Sequence, residues 1–140
     1  MVKKPEFKTN IKEPHDQYLE NLVYHLDFVE ENKEDIEWIL KDGLWRRKAG
    51  RIEYNTLCDL IVIHSEYGVP IELKGQSVSQ RRKARNQIIS GKKFLEEILN
   101  IPVPYGKLVL YSPEGYKYRK YYFMNDGTTS VGDWKFAPFK

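Results

Sequence analysis

The sequence contains one cysteine, Cys58, among its 140 residues, and this scarcity limits the sites that it can form. A single thiol excludes a disulfide within the chain and a zinc cluster built on cysteines. No apolar run is long enough to cross a bilayer, and the first residues lead into no apolar stretch of the kind that a secretory signal requires. We therefore expect a soluble protein with no membrane partner, in the cytoplasm or, for a viral protein, in the host-cell interior.

The chain also lacks internal repeats, low-complexity tracts and any linker rich in glycine and serine. Residues 1–140 are therefore expected to form one domain. That length is sufficient to bury a hydrophobic core without disulfides or a structural metal.

Charge is unevenly distributed along the chain, although the formal net charge is only +3. Residues 1–45 hold 11 acidic and 6 basic side chains, whereas residues 46–140 hold 9 acidic and 17 basic ones. No acid occurs between Glu72 and Glu96. The basic residues in that stretch are Lys74, Arg81, Arg82, Lys83, Arg85, Lys92 and Lys93. Such a surface suits a polyanion such as nucleic acid, but on charge alone a solvated helix face explains it equally well.

Hydrophobic periodicity predicts three helices. The first covers residues 15–32, where apolar side chains recur at spacings of three and four and so share one face. A second, short helix is predicted from about residue 34 to residue 43, and a long one over residues 79–100. The long helix has one apolar stripe that can pack on a sheet, formed by Ala84, Ile88, Gly91, Leu95 and Ile98.

Strands are predicted between and after these helices. Residues 57–63 are nearly continuous in apolar side chains and rich in β-branched ones, which is typical of a central strand covered on both faces. Residues 69–74 form its partner after a turn at Tyr67-Gly68. Further strands are expected at residues 46–55, 108–111 and 118–124. The elements together predict a mixed α/β domain with helices packed on a small sheet.

Three charged side chains interrupt the two central strands. Asp59 lies in an otherwise apolar run, and burial of an unpartnered carboxylate is so unfavourable that the position requires a compensating cation. Glu72 and Lys74 are two residues apart, so they project to the same face of their strand. Pairing across the turn can bring Asp59 to the same point. The three groups either neutralise one another in a structural ion pair or form a reactive site.

Residues 58–63 (CDLIVI) and 69–75 (VPIELKG) resemble the core motif of the PD-(D/E)XK nucleases. The element order, αβββαβ, is similar to that superfamily's restriction endonuclease-like core. The resemblance implies that Asp59 and Glu72 bind Mg²⁺ or Mn²⁺, with the Leu73 carbonyl as a further ligand, and that Lys74 orients or activates the attacking water. Oxygen ligands suit such a hard cation, which lowers the pKa of bound water. Cys58 departs from the motif, where many members have proline, but it is not a ligand.

The resemblance also implies site residues on two helices. Some members place an acid on the first helix near the metal, and Glu20 is the candidate here, with Glu30 and Glu53 as alternatives. A surface carboxylate is the competing interpretation for each. Many members have Gln or Lys on the helix after the Glu-x-Lys strand; Gln87 is our candidate, and Gln80 the second.

Two further segments suggest contacts with nucleic acid. Arg81, Arg82, Lys83 and Arg85 lie in the first turns of the long helix, where positive charge opposes the helix macrodipole. That unfavourable placement is explained if these residues, together with Gln80, contact phosphates. Residues 116–122 interleave aromatic and basic side chains, as nucleic-acid contacts often do, but an amphipathic edge strand has the same pattern. Metal-ligand spacing is absent from the three histidines, and the three tryptophans are expected in the core or at an interface.

The sequence thus predicts a Mg²⁺- or Mn²⁺-dependent nuclease that hydrolyses phosphodiester bonds in nucleic acid, with DNA as the expected substrate and an endonuclease as the expected type. The nearest functional analogies are archaeal Holliday-junction resolvases and restriction endonucleases. A homodimer would give so small a domain enough surface to enclose a duplex. Two other classes remain open: a nucleic-acid-binding module with this fold but no cleavage activity, and an interaction protein in which the three charges merely neutralise each other.

Overall fold

The computed structural model describes residues 14–24, 26, 30, 33–41, 58–75 and 78–139. The helices among them are α1 (Pro14–Tyr24) and α2 (Val78–Glu97), and a 3-10 turn spans Lys33–Asp35. The strands are β1 (Ile36–Lys41), β2 (Leu60–His64), β3 (Gly68–Lys74), β4 (Tyr105–Ser112), β5 (Gly115–Phe123), β6 (Thr129–Val131) and β7 (Lys135–Pro138). Neither of these helices is long and apolar enough to span a membrane.

The described strands form one mixed sheet in the order β1-β2-β3-β4-β5-β6, with β7 also paired to β5. Strands β3 and β4 are parallel and are connected through α2, because a parallel pair needs a long crossover. The other pairs in this sheet are antiparallel. All five residues of β2 are buried, which agrees with a central strand covered on both faces. The mixed α/β class is confirmed.

The two helices cover opposite faces of the sheet. On the α1 face, Tyr18 and Leu22 belong to a buried cluster with side chains of β2, β3, β4 and β5. On the α2 face, Ile88 packs with side chains of β4 and β5, and Phe94 packs with side chains of β2. The predicted stripe of α2 is confirmed, because four of its five residues are buried and the fifth, Ile98, is half-buried.

Gly91 allows α2 to approach the sheet closely. A Cβ at this position would lie 2.7 Å from both Cys58 Sγ and Pro70 Cβ, so a larger residue would push the helix away. The contact places this turn of α2 directly over β3 and the start of β2. It therefore also fixes where the N-terminal part of the helix lies relative to Asp59.

The prediction of a second, short helix over about residues 34–43 is wrong. The segment contains the 3-10 turn and then β1, which pairs antiparallel with β2 through Ile39 opposite Val62 and Leu40 opposite Ile61. Four apolar side chains in so short a segment fit either a helical or a strand period, and backbone pairing with β2 selects the strand. Helix α1 is described from Pro14 to Tyr24, and most of residues 25–32, which were predicted to continue it, lie outside the described residues. The strand expected at residues 46–55 lies outside the described residues.

The remaining predicted elements occur as β2, β3, α2, β4 and β5, with ends shifted by a few residues. Strands β4 and β5 are longer than predicted, since they continue to a tight turn between Ser112 and Gly115. The short strands β6 and β7 were not predicted. Most of their residues are exposed, so they lack the apolar alternation that reveals a strand in a sequence.

A buried ion cluster connects the chain after α1 to the sheet. One carboxylate oxygen of Glu30 pairs with Lys107 Nζ on β4, and the other lies 2.6 Å from His64 Nε2 at the end of β2. These three side chains are at most 1% exposed. The ring of His64 stacks on Tyr67, with 4.4 Å between centroids. Glu30, an alternative candidate for the reactive site, is therefore bound within a separate cluster.

Candidate active site

Asp59 and Glu72 meet where β2 begins and β3 ends. Antiparallel pairing sets Leu60 opposite Ile71, so the residue before β2 lies beside the residue after Ile71. Glu72 Oε1 accepts a hydrogen bond from the Asp59 N–H at 2.9 Å. Asp59 Oδ2 accepts one from the Leu73 N–H, also at 2.9 Å. These reciprocal side-chain-to-backbone bonds hold both carboxylates in fixed orientations.

Lys74 brings a positive charge to this carboxylate pair. Its Nζ lies 3.4 Å from Glu72 Oε2, and the Glu72 side chain is fully buried. At that distance and geometry the ammonium forms no hydrogen bond, and Oε2 has no hydrogen-bond partner among the described residues. A buried carboxylate oxygen left in this condition is unfavourable unless something else binds it. The structure thus brings Asp59, Glu72 and Lys74 together and leaves one oxygen unsatisfied.

His15 is the site residue that sequence reasoning missed. It lies in the first turn of α1, and its Nε2 is 3.1 Å from Asp59 Oδ2 and 3.0 Å from the Leu73 carbonyl oxygen. Both of those oxygens were assigned to a metal ion from the sequence. No spacing along the chain signals this contact, because His15 and Asp59 are 44 residues apart. Only the packing of α1 on the sheet brings them together.

Burial and pairing determine which of these groups carry protons. The hydrogen bond with Asp59, opposed by burial, raises the pKa of His15 to about 9. Burial, then the hydrogen bond and negative charge of Asp59, raises the pKa of Glu72 to about 10, and the nearby Lys74 offsets only part of this. Burial also acts to raise the pKa of Asp59, but hydrogen bonds with His15 and Glu72 outweigh it and hold that pKa below its ordinary value.

At neutral pH the metal-free site therefore contains an ionised Asp59, an imidazolium at His15 and a protonated Glu72. The 3.4 Å contact between Lys74 and Glu72 lies within ion-pair distance, but it is not a full ion pair while the carboxyl keeps its proton. The burial of Glu72 keeps its carboxyl protonated, because the nearby Lys74 offsets too little of the free-energy cost of ionising a buried carboxyl. A second cation close to Oε2 would be needed to remove the proton.

These protonation states predict how stability depends on pH without metal. The pKa of Glu72 and that of His15 are both higher in the folded protein than their ordinary values of 4.5 and 6.5. The folded state then binds more protons than the unfolded state, so stability falls as pH rises. We expect the Tm in EDTA to decrease between pH 6 and pH 9, and to decrease less in His15→Gln. Thermal unfolding followed by circular dichroism measures this, and a Tm that rises over the window would contradict it.

Gln87 lies on the side of α2 that faces this site. It is half-buried and one turn before Gly91, so it shares the face through which that glycine contacts Cys58 and Pro70. Glu20, in contrast, is exposed on α1, five residues and about 140° around the helix from His15. Among the described residues it contacts neither carboxylate.

The predicted basic residues are described only in part. Lys83 and Arg85 are exposed on the N-terminal half of α2. The helix includes Gln80, Arg81 and Arg82, but their side chains lie outside what the structure describes, as does the whole of Glu53.

The donor atoms of the site suit a hard divalent cation. Asp59 and Glu72 supply carboxylate oxygens, the Leu73 carbonyl adds a third oxygen, and Mg²⁺ and Mn²⁺ prefer such ligands. The unsatisfied Glu72 Oε2 is the atom that a cation would bind, in place of the proton on this carboxyl. Within the described ranges, no group of three or more His, Cys, Asp or Glu side chains is arranged as a metal site. The set here has only two carboxylates, which is common for magnesium because water and phosphate complete its shell.

Comparisons with models of protein families, with curated proteins and with solved structures find no match to this chain. The case for its function therefore rests on the geometry of its own residues.

Proposed function

We propose that the chain is a Mg²⁺- or Mn²⁺-dependent nuclease of the PD-(D/E)XK type that hydrolyses phosphodiester bonds, with DNA as its substrate. The observation that carries the proposal is the carboxylate pair of Asp59 and Glu72, fixed by reciprocal hydrogen bonds beside Lys74, with one buried oxygen unsatisfied. The order α1-β1-β2-β3-α2-β4 agrees with the αβββαβ order of a restriction endonuclease-like core and supports it.

The roles of the residues follow from their chemistry. When bound, a divalent cation would supply a water of lowered pKa and positive charge for the phosphate oxygens. Asp59 Oδ2, Glu72 Oε2 and the Leu73 carbonyl are the oxygens that would hold it. Lys74 is 16% exposed, so its ammonium can reach both this carboxylate pair and a substrate. There it orients the attacking water and stabilises the charge that develops on the phosphate.

His15 supports a further ligand role. The ligands of one ion lie close together, so a side chain already in contact with two of the proposed oxygens could share an ion with them. His15 Nε2 lies at 3.1 Å and 3.0 Å from the Asp59 and Leu73 oxygens. After loss of its proton, the imidazole can therefore add one nitrogen to the oxygen donors. A nitrogen ligand suits a transition-metal ion better than Mg²⁺.

A substitution at His15 tests this role by metal affinity. His15→Gln should weaken Mn²⁺ binding by about tenfold or more and change Mg²⁺ binding much less, because the nitrogen stabilises bound Mn²⁺ more than bound Mg²⁺. Titration calorimetry with each ion measures the difference, and Glu66→Gln, at an exposed position in the turn between β2 and β3 and at the opposite end of these strands from the site, is the control. Equal losses for the two ions would remove His15 from the ligand set.

The proposal includes a homodimer, because one domain of this size has little surface with which to enclose a duplex. Strand β1 forms one edge of the described sheet, and its Trp38 is 64% exposed, which supports a contact there. The cytoplasm, or the interior of a host cell, is the proposed location. Analytical ultracentrifugation of the chain and of Trp38→Ala tests the dimer.

The activity itself is tested by incubating the chain with plasmid, oligonucleotide duplex, four-way junction and RNA in Mg²⁺, Mn²⁺ or EDTA. We expect cleavage of DNA with either metal and none in EDTA. Binding without cleavage under every metal would favour a nucleic-acid-binding module instead. Neither binding nor cleavage would leave the charges of the site as a structural feature.

A further inference from the structure

Two cations of β5 lie over the same indole ring. Arg119 Cζ is 4.3 Å and Lys117 Nζ is 4.9 Å from the centroid of the Trp134 ring. Arg119 Nε also donates a hydrogen bond to the Gly132 carbonyl at 3.0 Å. No Asp or Glu of the described chain is within ion-pair distance of either cation. Two like charges that are held together by one ring, with no acid of the described chain to neutralise them, favour an anionic ligand.

These cations project to the same face of the sheet as Glu72 and Lys74. In the strand registers, Leu110 of β4 lies between Lys74 of β3 and Lys117 of β5. Leu108 lies in the same way between Glu72 and Arg119. Side chains in one such row project to one face, and the leucines in these rows pack beneath α2. Two strand spacings separate β3 from β5, which is about 10 Å.

The helix side of this region is basic as well. Ile88 of α2 belongs to one buried cluster with Tyr121 of β5, and Lys92 Nζ lies 5.4 Å from the centroid of the Phe123 ring. This flank of α2 therefore faces β5. Arg85 precedes Ile88 by three residues, so it lies on the same flank, and it is exposed.

We propose that Lys117, Arg119 and Trp134 form a phosphate-binding site for the nucleic-acid strand that occupies the candidate active site. The inference rests on the proposed function and adds to it the path of the substrate, from Lys74 across the N-terminal turns of α2 to β5. A distance of about 10 Å corresponds to roughly three phosphates at about 3.4 Å of axial rise per nucleotide. The indole holds both cations in place before the substrate arrives, which reduces the entropy lost on binding.

The site contacts the backbone and not the bases, so it should raise affinity for every sequence alike. Its test is the affinity for a short fluorescent duplex, measured by anisotropy in EDTA over a range of NaCl concentrations. Lys117→Gln/Arg119→Gln should weaken binding by about tenfold or more. It should also reduce the slope of log affinity against log salt by about 1.8, since each phosphate contact contributes about 0.9.

A matched control removes the same charge elsewhere. Lys93 is exposed on α2, and Lys120 follows Arg119 on β5 but projects to the opposite face, where it lies over Tyr105. Lys93→Gln/Lys120→Gln should therefore leave the affinity and the salt slope nearly unchanged. If the first double variant does not fold, Lys117→Gln and Arg119→Gln should each reduce the slope by about 0.9 when tested separately.

The outcomes separate this site from the proposed function. Equal losses in the two double variants, with a wild-type chain that binds and cleaves DNA, would overturn the phosphate-binding site and leave the nuclease intact. A wild-type chain that binds no nucleic acid at all would overturn both.

Discussion

Replacement of Glu72 by Gln is expected to reduce cleavage by at least about a thousandfold, with nucleic-acid binding largely retained. The amide oxygen can still accept the hydrogen bond from the Asp59 N–H, so the local structure should survive. The side chain can no longer carry the negative charge that holds a cation against the substrate. Asp59→Asn should have a similar effect, because it removes the ionised carboxylate that contacts His15 and Leu73. Single-turnover cleavage with Mg²⁺ and with Mn²⁺ measures the loss, and anisotropy in EDTA measures binding.

Glu66→Gln is the control for these two substitutions. Glu66 is exposed in the turn between β2 and β3, at the opposite end of the strands that carry the carboxylate pair. The Glu66→Gln substitution makes the same charge change in the same hairpin, so this variant should cleave DNA at the wild-type rate. Full activity of Glu72→Gln or Asp59→Asn would remove that carboxylate from the mechanism.

The second large effect is expected on stability, at the buried cluster of Glu30, His64 and Lys107. Lys107→Ala should lower the free energy of unfolding by about 3–5 kcal/mol, because the Glu30 carboxylate would remain buried without its ammonium partner. The double variant Glu30→Gln/Lys107→Met should recover most of that loss, since removal of both charges leaves no uncompensated ion. Urea unfolding measures each free energy, with the exposed Lys93→Ala as control, expected within about 0.5 kcal/mol of wild type.

A loss of only about 1 kcal/mol in Lys107→Ala would mean that water or another group compensates the Glu30 carboxylate. A double variant as unstable as the single one would mean that the packing of the lysine stem, and not its charge, is responsible.

Glu30 and Glu72, both buried in the described part of the chain, differ in how their oxygens are bound, and the difference bears on the alternative of a purely structural charge cluster. Both oxygens of Glu30 are bound, one by Lys107 and the other by His64. Glu72 has one oxygen bonded to a backbone N–H and the other without a hydrogen-bond partner in the described part of the chain. A structural role explains the first arrangement completely. The second leaves an unfavourable oxygen that a bound cation would explain.

The sequence was sufficient to predict the convergence of Asp59, Glu72 and Lys74. Their two strands are strongly apolar, so a charged residue within them stands out, and the two-residue period of a strand assigns Glu72 and Lys74 to one face. The packing stripe of α2 was equally clear, because it repeats over about four turns.

The contact of His15 with the site could not be predicted in the same way. Its contact with Asp59 depends on the angle at which α1 packs on the sheet, and no local pattern encodes that angle. Glu30 is similar, since its partners His64 and Lys107 are 34 and 77 residues away. The helix assigned in place of β1 has a different cause: four apolar side chains in a six-residue segment fit both periods, and the pairing of this segment with β2 is a tertiary effect.

Mn²⁺ binding by the wild-type chain and by Glu72→Gln, followed by calorimetry in two buffers of different ionisation enthalpy, tests whether the carboxylate pair holds a cation. The wild-type chain should bind Mn²⁺ and release protons, because His15 and Glu72 must both lose theirs to become ligands. The variant should bind much more weakly and release fewer protons. A wild-type chain that binds no Mn²⁺, or a variant that binds it equally well, would contradict the proposal that Asp59 and Glu72 form a metal site.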